Sequence, residues 1–582
     1  MEKTIGQVTG VNGNMITVAF ASVVAQNEVG YACIDRGNGQ RLRLMSEIVR
    51  IRNGVADLQV FEDTRDLKVG DDLEFSGDML SAELGPGLLG QIYDGLLNPL
   101  PQLAEQCGFF LQRGTYLPSL DRAAKWAFTP TVQVGDRLTA GETLGTVPEG
   151  VYTHRIMVPF AWRDLYTVKS LMPAGEYTVE DTVAILTDTQ AVEHEVKLMQ
   201  KWPVKLPITC YTERLRPSET LSTGVREVDT FFPVALGGTY CIPGPFGAGK
   251  TVIQHQTSRY ADVDIVIVAA CGERAGEVVE TLREFPELQD PKTGRSLMER
   301  TVIICNTSSM PVAAREASVY TAVTLAGYYR QMGLNVLLLA DSTSRWAQAL
   351  REMSGRLEEI PGDEAFPAYL ESVIAGFYER AGRVRLKDGS IGSVTIGGTV
   401  SPAGGNFDEP VTQATLKVVG AFHGLSRARS DARRFPAIDP LDSWSKYKSV
   451  IDQPRVEAMR GLIRKGSDVE QMMKVVGEEG TAMPDFLNYL RKELIDTVYL
   501  QQNAFNEVDA CAPVARQRDT FAVLEDLVGA DFAFEDKAAA RHTFLRFQQA
   551  FIDWNNTPAE TPDYETRKTA LYTLIEEAPK NA

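Results

Sequence analysis

The stretch at residues 244–251 constrains this chain more than any other. It reads GPFGAGKT, which is the G-x-x-x-x-G-K-[ST] pattern of a phosphate-binding loop. The apolar run at 237–242 predicts a strand before the loop, and the run after it predicts a helix. Such a loop surrounds phosphate oxygens with backbone N–H groups at the positive end of a helix. A glycine-rich turn that matches by accident is the alternative, but the full pattern in this context predicts a nucleoside triphosphate site.

The side chains of the loop indicate how this site binds its ligand. Lys250 can reach the β- and γ-phosphates, and Thr251 can offer its hydroxyl to Mg²⁺. We predict that the whole loop and the residue after it bind the nucleotide: Gly244, Pro245, Phe246, Gly247, Ala248, Gly249, Lys250, Thr251 and Val252.

Composition excludes several classes of function. The chain has 582 residues and a formal net charge of −18, which argues against a nucleic-acid groove as its main surface. Its seven cysteines are scattered and form no C-x-x-C pair, a usage that suits a reducing cytosol rather than a disulfide framework or a zinc site. No run approaches the roughly eighteen apolar residues that a spanning helix needs, so we expect membrane association only through partners.

The chain begins with β-structure. Residues 1–70 alternate apolar and polar residues in short runs beside Asn12-Gly13, Asn38-Gly39 and Asn53-Gly54, which predicts a small antiparallel β-barrel. The sequence pattern changes over residues 71–110, which predicts a connector. Residues 111–190 are β-like again, with the turn-rich spacing of a lipoyl-type half-barrel but no carrier lysine, so we predict an inserted β-rich module without a cofactor.

The remainder divides into an α/β part and a helical part. In residues 191–444, continuous Val/Ile/Leu runs alternate with helical patterns, which predicts a mostly parallel sheet covered on both faces. From 445 to 582 the strand signal disappears and apolar residues recur at helical spacing, with a sharp helix start at Met483-Pro484, so we predict a C-terminal helical bundle. The fold class is therefore multidomain α/β.

One carboxylate has the position of a metal ligand. Asp341 ends the apolar run VLLLA, and parallel sheets bind ligands at the carboxyl ends of their strands. It can hold Mg²⁺ beside Thr251. The alternative is an aspartate that caps the next helix.

A second carboxylate has the position of a water-orienting group. Glu273 follows the apolar run VDIVIVAAC, and a Glu there can polarise an attacking water while Arg274 braces the site. The alternative is a solvated Glu–Arg pair, and Glu277 and Glu280 are nearby competitors. Arg345, in DSTSRW, either contacts the γ-phosphate or lies on a helix surface, and its residue type alone does not decide between these positions.

Four segments together resemble one protein family. GPFGAGKT, CGERAGEV, LLLADSTSRWAQALREMSGRLEEIPG and RRFPAIDPLDSWSKY, in this order, are similar to the catalytic A subunits of V-type and archaeal-type rotary ATPases. The resemblance covers essentially the whole chain. It implies an N-terminal β-barrel, an inserted bulge that distinguishes A subunits, a central RecA-like P-loop NTPase domain and a C-terminal helical domain.

The resemblance also implies residue roles. Lys250 and its loop would bind the phosphates of ATP or ADP, with Mg²⁺ on Thr251 and the Walker B carboxylate Asp341. Glu273 would be the general base or water-positioning residue. Further residues with implied roles are Arg274 as a brace, Arg345 as a γ-phosphate contact, and Phe435 and Phe505 as aromatics that hold the adenine, although their residue types alone indicate core packing.

The same resemblance implies partners and location. Three such chains would alternate with three non-catalytic B subunits around a central rotor stalk, with peripheral stalk subunits and a membrane sector that carries H⁺ or Na⁺. The assembly would lie at the cytoplasmic face of a membrane and would hydrolyse or synthesise ATP. Eukaryotic vacuolar members carry a cysteine in the phosphate loop where this chain has Ala248, so the chain looks bacterial or archaeal and no disulfide switch is expected there.

Two other functions stay open at this point. A hexameric RecA-like nucleic-acid translocase shares the phosphate loop and the acidic residues, but the net charge and the lack of a basic aromatic segment argue against it. A non-catalytic nucleotide-binding assembly subunit is the other alternative, and Glu273 beside an intact loop argues against that. We expect no nucleic-acid partner.

Overall fold

A computed structural model describes most of the chain, namely residues 5–37, 41–108, 112–308 and 310–580. The predicted turn at Asn38-Gly39 lies outside the described residues. In the described ranges, none of the helices combines the length and the apolar character that are needed to cross a bilayer.

The chain forms two compact units. The first unit comprises Met1–Arg216, Val263–Val400 and Gln413–Val418. The second unit comprises Pro217–Asp262, Ser401–Thr412 and Val419–Ala582. The phosphate loop therefore belongs to the second unit, and Glu273 and Asp341 belong to the first.

The first unit begins with a closed antiparallel barrel of six strands in the order β1-β2-β5-β4-β3-β6. Alternate residues point inward, so Val8, Ile16, Leu44, Leu58 and Leu73 form a buried core. The predicted β-barrel is confirmed. Its strands are β1 (Ile5–Asn12), β2 (Met15–Ala19), β3 (Glu28–Asp35), β4 (Arg41–Arg52), β5 (Val55–Val60) and β6 (Asp72–Met79).

A β-rich module follows, as predicted. Two four-stranded sheets, β10-β13-β15-β16 and β12-β11-β9-β14, enclose apolar cores that include Leu144, Val168, Phe128 and Ile156. The elements from the barrel to the end of this module are β7 (Ser81–Leu84), β8 (Ile92–Tyr93), α1 (Leu100–Cys107), β9 (Lys125–Pro130), β10 (Arg137–Leu138), β11 (Thr143–Glu149), β12 (Tyr152–Met157), β13 (Tyr166–Leu171), β14 (Gly175–Thr178), β15 (Thr182–Thr187), β16 (Glu193–Lys197) and β17 (Gln200–Pro203).

Strands and helices then alternate, as the apolar runs predict. The next elements are β18 (Glu213–Leu215), β19 (Thr220–Leu221), α2 (Arg226–Phe231), β20 (Val234–Ala235), β21 (Thr239–Pro243) and α3 (Lys250–Tyr260). They are followed by β22 (Ile265–Glu273), α4 (Ala275–Glu287), β23 (Thr301–Thr307), α5 (Val312–Arg330), β24 (Asn335–Asp341), α6 (Thr343–Arg356), α7 (Leu370–Tyr378), β25 (Gly382–Arg385), β26 (Ile391–Val400) and α8 (Pro410–Val418). Short 3-10 turns occur at Leu297–Arg300, Asp363–Ala365 and Ala403–Gly405.

The parallel sheet of the first unit orders its strands β26-β24-β22-β23-β8. Strand β22 is buried along its whole length, and β24 lies beside it in parallel register with Ala270 opposite Asp341. The buried helix α5 packs on β22 and β24. Because both strands run the same way, their carboxyl ends place Glu273 and Asp341 on one edge of the sheet.

The second unit contains β21, which pairs in parallel with β27, and a set of C-terminal helices. Helices α10 and α11 pack closely, and a Cβ on Gly466 would lie 2.2 Å from the Cβ of Lys492, so only glycine fits this crossing. The predicted helical region is confirmed, and α11 begins at Met483-Pro484 as expected. The elements are β27 (Ala421–Phe422), α9 (Arg427–Asp431), β28 (Trp444–Ser445), α10 (Gln453–Val476), α11 (Met483–Ile495), a π-helical turn (Asp496–Leu500), α12 (Val514–Gly529), α13 (Lys537–Asn555) and α14 (Pro562–Glu577).

Candidate functional site

The phosphate loop has the strand–loop–helix geometry that its sequence predicts. It joins the end of β21 to the start of α3 at Lys250. Gly247 and Gly249 have φ of +78° and +89°, a left-handed conformation that side chains rarely adopt. The Lys250 Nζ donates to the carbonyl oxygens of Gly244 and Pro245 at 2.9 and 3.0 Å. The Lys250 ammonium group therefore lies beside the loop, where it could contact an anion bound by the loop's backbone N–H groups.

The two predicted adenine-binding aromatics lie on segments that are hydrogen-bonded to one another and to helix α3, which follows this loop. The Gln256 Nε2 of α3 donates to the Ala504 carbonyl at 3.2 Å, next to Phe505, whose side chain is 96% exposed. The backbone N–H of Gln502 donates to the Phe435 carbonyl at 2.7 Å. The structure thus brings both aromatic segments together within the second unit, and the exposure of Phe505 is unlike the core packing that its residue type suggests.

A buried ion pair between Arg226 and Asp509 stabilises the segment that precedes Phe505. Arg226 is 1% exposed and its Nη1 lies 2.5 Å from the Asp509 Oδ1. The same side chain donates through Nη2 to the Gln501 carbonyl at 2.8 Å, and the Arg226 backbone N–H donates to the Gln502 Oε1 at 2.9 Å. Because a buried arginine with fixed partners resists movement, these contacts fix the backbone that precedes Phe505.

In the first unit, Asp341 lies at the carboxyl end of β24, as predicted. The Thr399 Oγ1 on neighbouring β26 donates to the Asp341 Oδ1 at 2.5 Å, and the Thr399 carbonyl accepts from the Thr343 Oγ1 at 2.9 Å. These contacts orient the Asp341 carboxylate at the edge of the sheet.

Glu273 ends the adjacent strand β22 and is only 7% exposed. Its Oε1 lies 3.4 Å from the Arg345 Nε, and its Oε2 accepts from the Arg274 backbone N–H at 3.3 Å. Arg345 therefore faces a buried carboxylate. This contact favours a role in the site over the alternative of a residue on the helix surface, which the sequence left open. The side chain of Arg274, in contrast, is exposed at the N-cap of α4.

The carboxylates on this edge influence one another. Partial burial raises the pKa of the Glu277 carboxyl, and the charges of Glu273 and Asp341 raise it further. Burial also raises the pKa of the Cys271 thiol to about 12, with the same two carboxylates adding to the shift. Besides burial, these shifts are the effect of charges that lie close together at the end of the sheet.

Two residues that sequence reasoning missed contribute to this edge. The Thr399 hydroxyl orients the Asp341 carboxylate. The sequence signal for this residue was a hydroxyl at the carboxyl end of the strand that neighbours the strand of Asp341. Arg315 is buried on α5, and a Cβ on Gly272 would meet its Cδ at 2.9 Å. Its Nε has no hydrogen-bond partner among the described residues. Nothing in the helical pattern of α5 distinguishes Arg315 from an ordinary surface arginine.

Each unit carries an oxygen donor of the type that Mg²⁺ prefers. The described residues contain no group of three or more His, Cys, Asp or Glu side chains arranged to hold a metal ion. Mg²⁺ usually takes one or two protein oxygens and keeps several waters or phosphate oxygens, so a dedicated cage is not required. The Asp341 carboxylate and the Thr251 hydroxyl are donors of the required type.

Comparison with known proteins identifies the family. The V-type ATP synthase alpha chain of Treponema denticola is 65% identical over 577 residues, which cover 99% of this chain and 97% of the relative. The V-type ATP synthase alpha chain 1 of Treponema pallidum is 66% identical over 95% of this chain and 93% of the relative. This chain belongs to the V-type ATP synthase alpha-chain family. The family member from Borreliella burgdorferi is 59% identical over 98% of this chain and 99% of the relative.

Family models match the separate parts of this alpha-chain family member in order. They are the beta-barrel domain of the ATP synthase alpha/beta family at residues 8–77, the barrel-sandwich domain at 117–205, the nucleotide-binding domain at 224–445, and the C-terminal domain of V and A type ATP synthase at 453–532. The nucleotide-binding model includes the phosphate loop, Glu273, Asp341 and Arg345.

Proposed function

We propose that this chain is the catalytic subunit of a V-type ATP synthase and that Glu273 orients the attacking water. The observation that supports this role is the contact between the buried Glu273 carboxylate and Arg345 on the sheet edge that also carries Asp341. A subunit that only bound nucleotide would have no use for a buried, oriented carboxylate at this position. Family membership and the intact phosphate loop support ATP and ADP as ligands.

The proposed reaction is an in-line attack of water on the γ-phosphorus. Glu273 accepts a hydrogen bond from the water and takes its proton as the new P–O bond forms, while the bond to the ADP oxygen breaks. Lys250 and the loop N–H groups bind the phosphate oxygens and stabilise the charge that develops. Arg345 holds Glu273 in position and contacts the γ-phosphate, and synthesis is the reverse of these steps.

The remaining predicted side chains position the ligand. We assign Phe435 and Phe505 to the two faces of the adenine, and Arg274 to bracing the site. Asp341 and Thr251 would hold Mg²⁺. When bound, the ion supplies positive charge to the phosphate oxygens.

We also propose how the chain assembles. It alternates with non-catalytic B subunits in a hexamer around a central rotor stalk, and peripheral stalk subunits and a membrane ion-channel sector complete the complex on the cytoplasmic face. The neighbouring subunit supplies an arginine in trans, which in related phosphoryl-transfer enzymes contributes on the order of 10³–10⁵ in rate. Its absence makes the isolated chain a slow ATPase.

Reconstitution tests this proposal. We expect ATP hydrolysis by the purified chain to be slow and to rise by about 10³-fold or more when the partner B subunit is added. We expect RNA or single-stranded DNA to leave the rate unchanged. Full turnover by the isolated chain, or stimulation by nucleic acid in place of the partner, would contradict the proposal.

A further inference from the structure

A cleft outside the phosphate loop and the acidic edge concentrates positive charge. It lies in the first unit, has a volume of about 440 Å³, and its lining includes Lys205, Arg214, Arg330, Arg380, Tyr211 and Tyr320. The lining contains four basic side chains and one carboxylate, Glu379. We call this surface the arginine cleft.

The basic side chains of the arginine cleft differ in how their charge is balanced. Lys205 is neutralised, because its Nζ lies 2.8 Å from the Glu47 Oε2 and 3.7 Å from the Glu316 Oε2. Among the described residues, no carboxylate lies within ion-pair distance of Arg214 or Arg380. These two guanidinium groups therefore keep their charge without a counterion from the described part of the chain.

Backbone carbonyls hold the arginines in place instead. The Arg214 Nη2 donates to the carbonyls of Glu379 and Ala381 at 2.9 and 2.6 Å. The Arg380 Nη1 donates to the Val204 carbonyl at 2.8 Å and to the Thr324 Oγ1 at 3.3 Å. A carbonyl orients a guanidinium group but does not cancel its charge, so the cleft stays electropositive.

Arg330 adds a third guanidinium group to the lining of the cleft, again with no carboxylate partner in the described part of the chain. It is 6% exposed, it donates to the carbonyls of Ile208 and Arg380 at 2.9 and 3.3 Å, and its Nε has no partner among the described residues. Burial lowers the pKa of Arg330 to about 10; the Tyr211 side chain opposes this shift, and Arg214 and Arg380 add to it. Arg330 is still protonated at neutral pH, and an anion would relieve the repulsion between the three guanidinium groups.

We propose that the arginine cleft binds a small anion that carries phosphate or carboxylate groups. The guanidinium fork matches both groups in two-point hydrogen bonds, and Arg214 and Arg380 line the cleft. The cleft volume lies in the range of small-molecule sites. The guanidinium groups of Arg330 and Arg380 lie over the rings of Tyr211 and Tyr320, which helps to hold them in place. This site is independent of the phosphate loop and of the proposed reaction.

Calorimetric titration of the full chain tests this proposal. The Lys250→Ala background removes the affinity of the phosphate loop, and the probes are inorganic phosphate and citrate. We expect one-to-one binding of at least one probe. Phosphate binding alone identifies a phosphate ligand, and citrate binding alone identifies a carboxylate ligand. Binding of neither probe at millimolar concentration would overturn the proposal.

Three further substitutions in that background locate the bound anion. Arg214→Gln and Arg380→Gln are expected to weaken binding about tenfold or more, because each removes charged hydrogen bonds. The matched control is Arg385→Gln, an exposed arginine outside the cleft that pairs with Glu213 at 3.0 Å, and it should change affinity by less than about twofold. Arg214 is exposed, so its variant decides the result even if Arg380→Gln does not fold. Equal weakening by all three substitutions would mean general charge attraction and would overturn the cleft assignment.

Discussion

The Arg345 Nε lies 3.4 Å from the Glu273 Oε1 and thereby joins the first turn of α6 to the carboxyl end of β22. Glu273 is 7% exposed, so an opposite charge within contact distance offsets part of the cost of burying its carboxylate. The contact fixes the direction of the Glu273 side chain on the sheet edge.

Replacing Arg345 by Gln should lower turnover more than nucleotide binding. The substitution removes a charge-assisted contact worth about 1.5–3 kcal/mol, so we expect kcat of the assembled complex to fall about tenfold to a hundredfold. The dissociation constant of MgADP should change little because the loop is intact. Arg351→Gln on the same helix, whose guanidinium lies over the Phe366 ring, is the control. Unchanged turnover in Arg345→Gln would refute the positioning role.

Removing the hydroxyl of Thr399 should weaken the response to magnesium. Thr399→Val deletes the 2.5 Å hydrogen bond to the Asp341 Oδ1 and leaves that carboxylate less well oriented. Residues that orient metal ligands typically contribute about tenfold or more to metal affinity. We therefore expect the Mg²⁺ concentration for half-maximal activity to rise about tenfold, whereas Thr399→Ser should restore it. Equal magnesium dependence in the Val and Ser variants would exclude this role.

Truncating Phe505 should weaken nucleotide binding without loss of stability. The side chain is 96% exposed, so Phe505→Ala removes little buried surface. Stacking of a base on an aromatic ring contributes about 1–3 kcal/mol, which predicts a rise of about fivefold or more in the dissociation constant of ATP. Calorimetry would measure it, with Phe505→Tyr as the control that keeps the ring. Identical affinities in the Ala and Tyr variants would argue against adenine contact.

His423 should make the stability of the fold depend on pH. Burial lowers the pKa of His423 from 6.5 to about 4, and its Nε2 lies 2.8 Å from the Phe232 carbonyl. The folded pKa lies below the unfolded one, so the unfolded chain takes up the proton first as the pH falls. The neutral His423 therefore contributes to stability in full above pH 6.5, and this contribution is lost as the pH falls towards about 4. The loss amounts to about 3 kcal/mol in the free energy of unfolding.

Denaturant unfolding at several pH values tests the effect of His423. The wild-type chain should lose more stability than His423→Phe between pH 6.5 and 4.5, because the substitution removes the titrating group. Parallel pH profiles for the two proteins would show that His423 is not the buried neutral histidine that we describe.

The fold was largely predictable because its signals are local. The barrel shows period-two alternation with Asn-Gly turns, and the buried strands β22 and β24 are continuous apolar runs. The phosphate loop is a contiguous pattern in which Gly247 and Gly249 are needed for their positive φ. The domain limits that the sequence suggests, and the role of each site residue, stay predictions.

The contacts across the sheet edge were less predictable because they join residues distant in sequence. Glu273 and Arg345 are separated by two strands and two helices, and the sequence left the position of Arg345 open. Thr399 was missed because its contact with Asp341 joins two different strands, and Arg315 was missed because the helical pattern around it does not distinguish it. For Phe505, a residue type that usually packs in the core proved exposed, and only the family resemblance suggested its role.

The most direct test of the central claim is the turnover of the assembled complex with Glu273→Gln. The amide keeps the size of the side chain but cannot take a proton from water, so we predict a loss of about 10²–10⁴ in kcat with MgADP affinity retained. Glu280→Gln, on the exposed face of α4, should leave turnover unchanged. Turnover by Glu273→Gln equal to that of the wild-type complex would contradict the account.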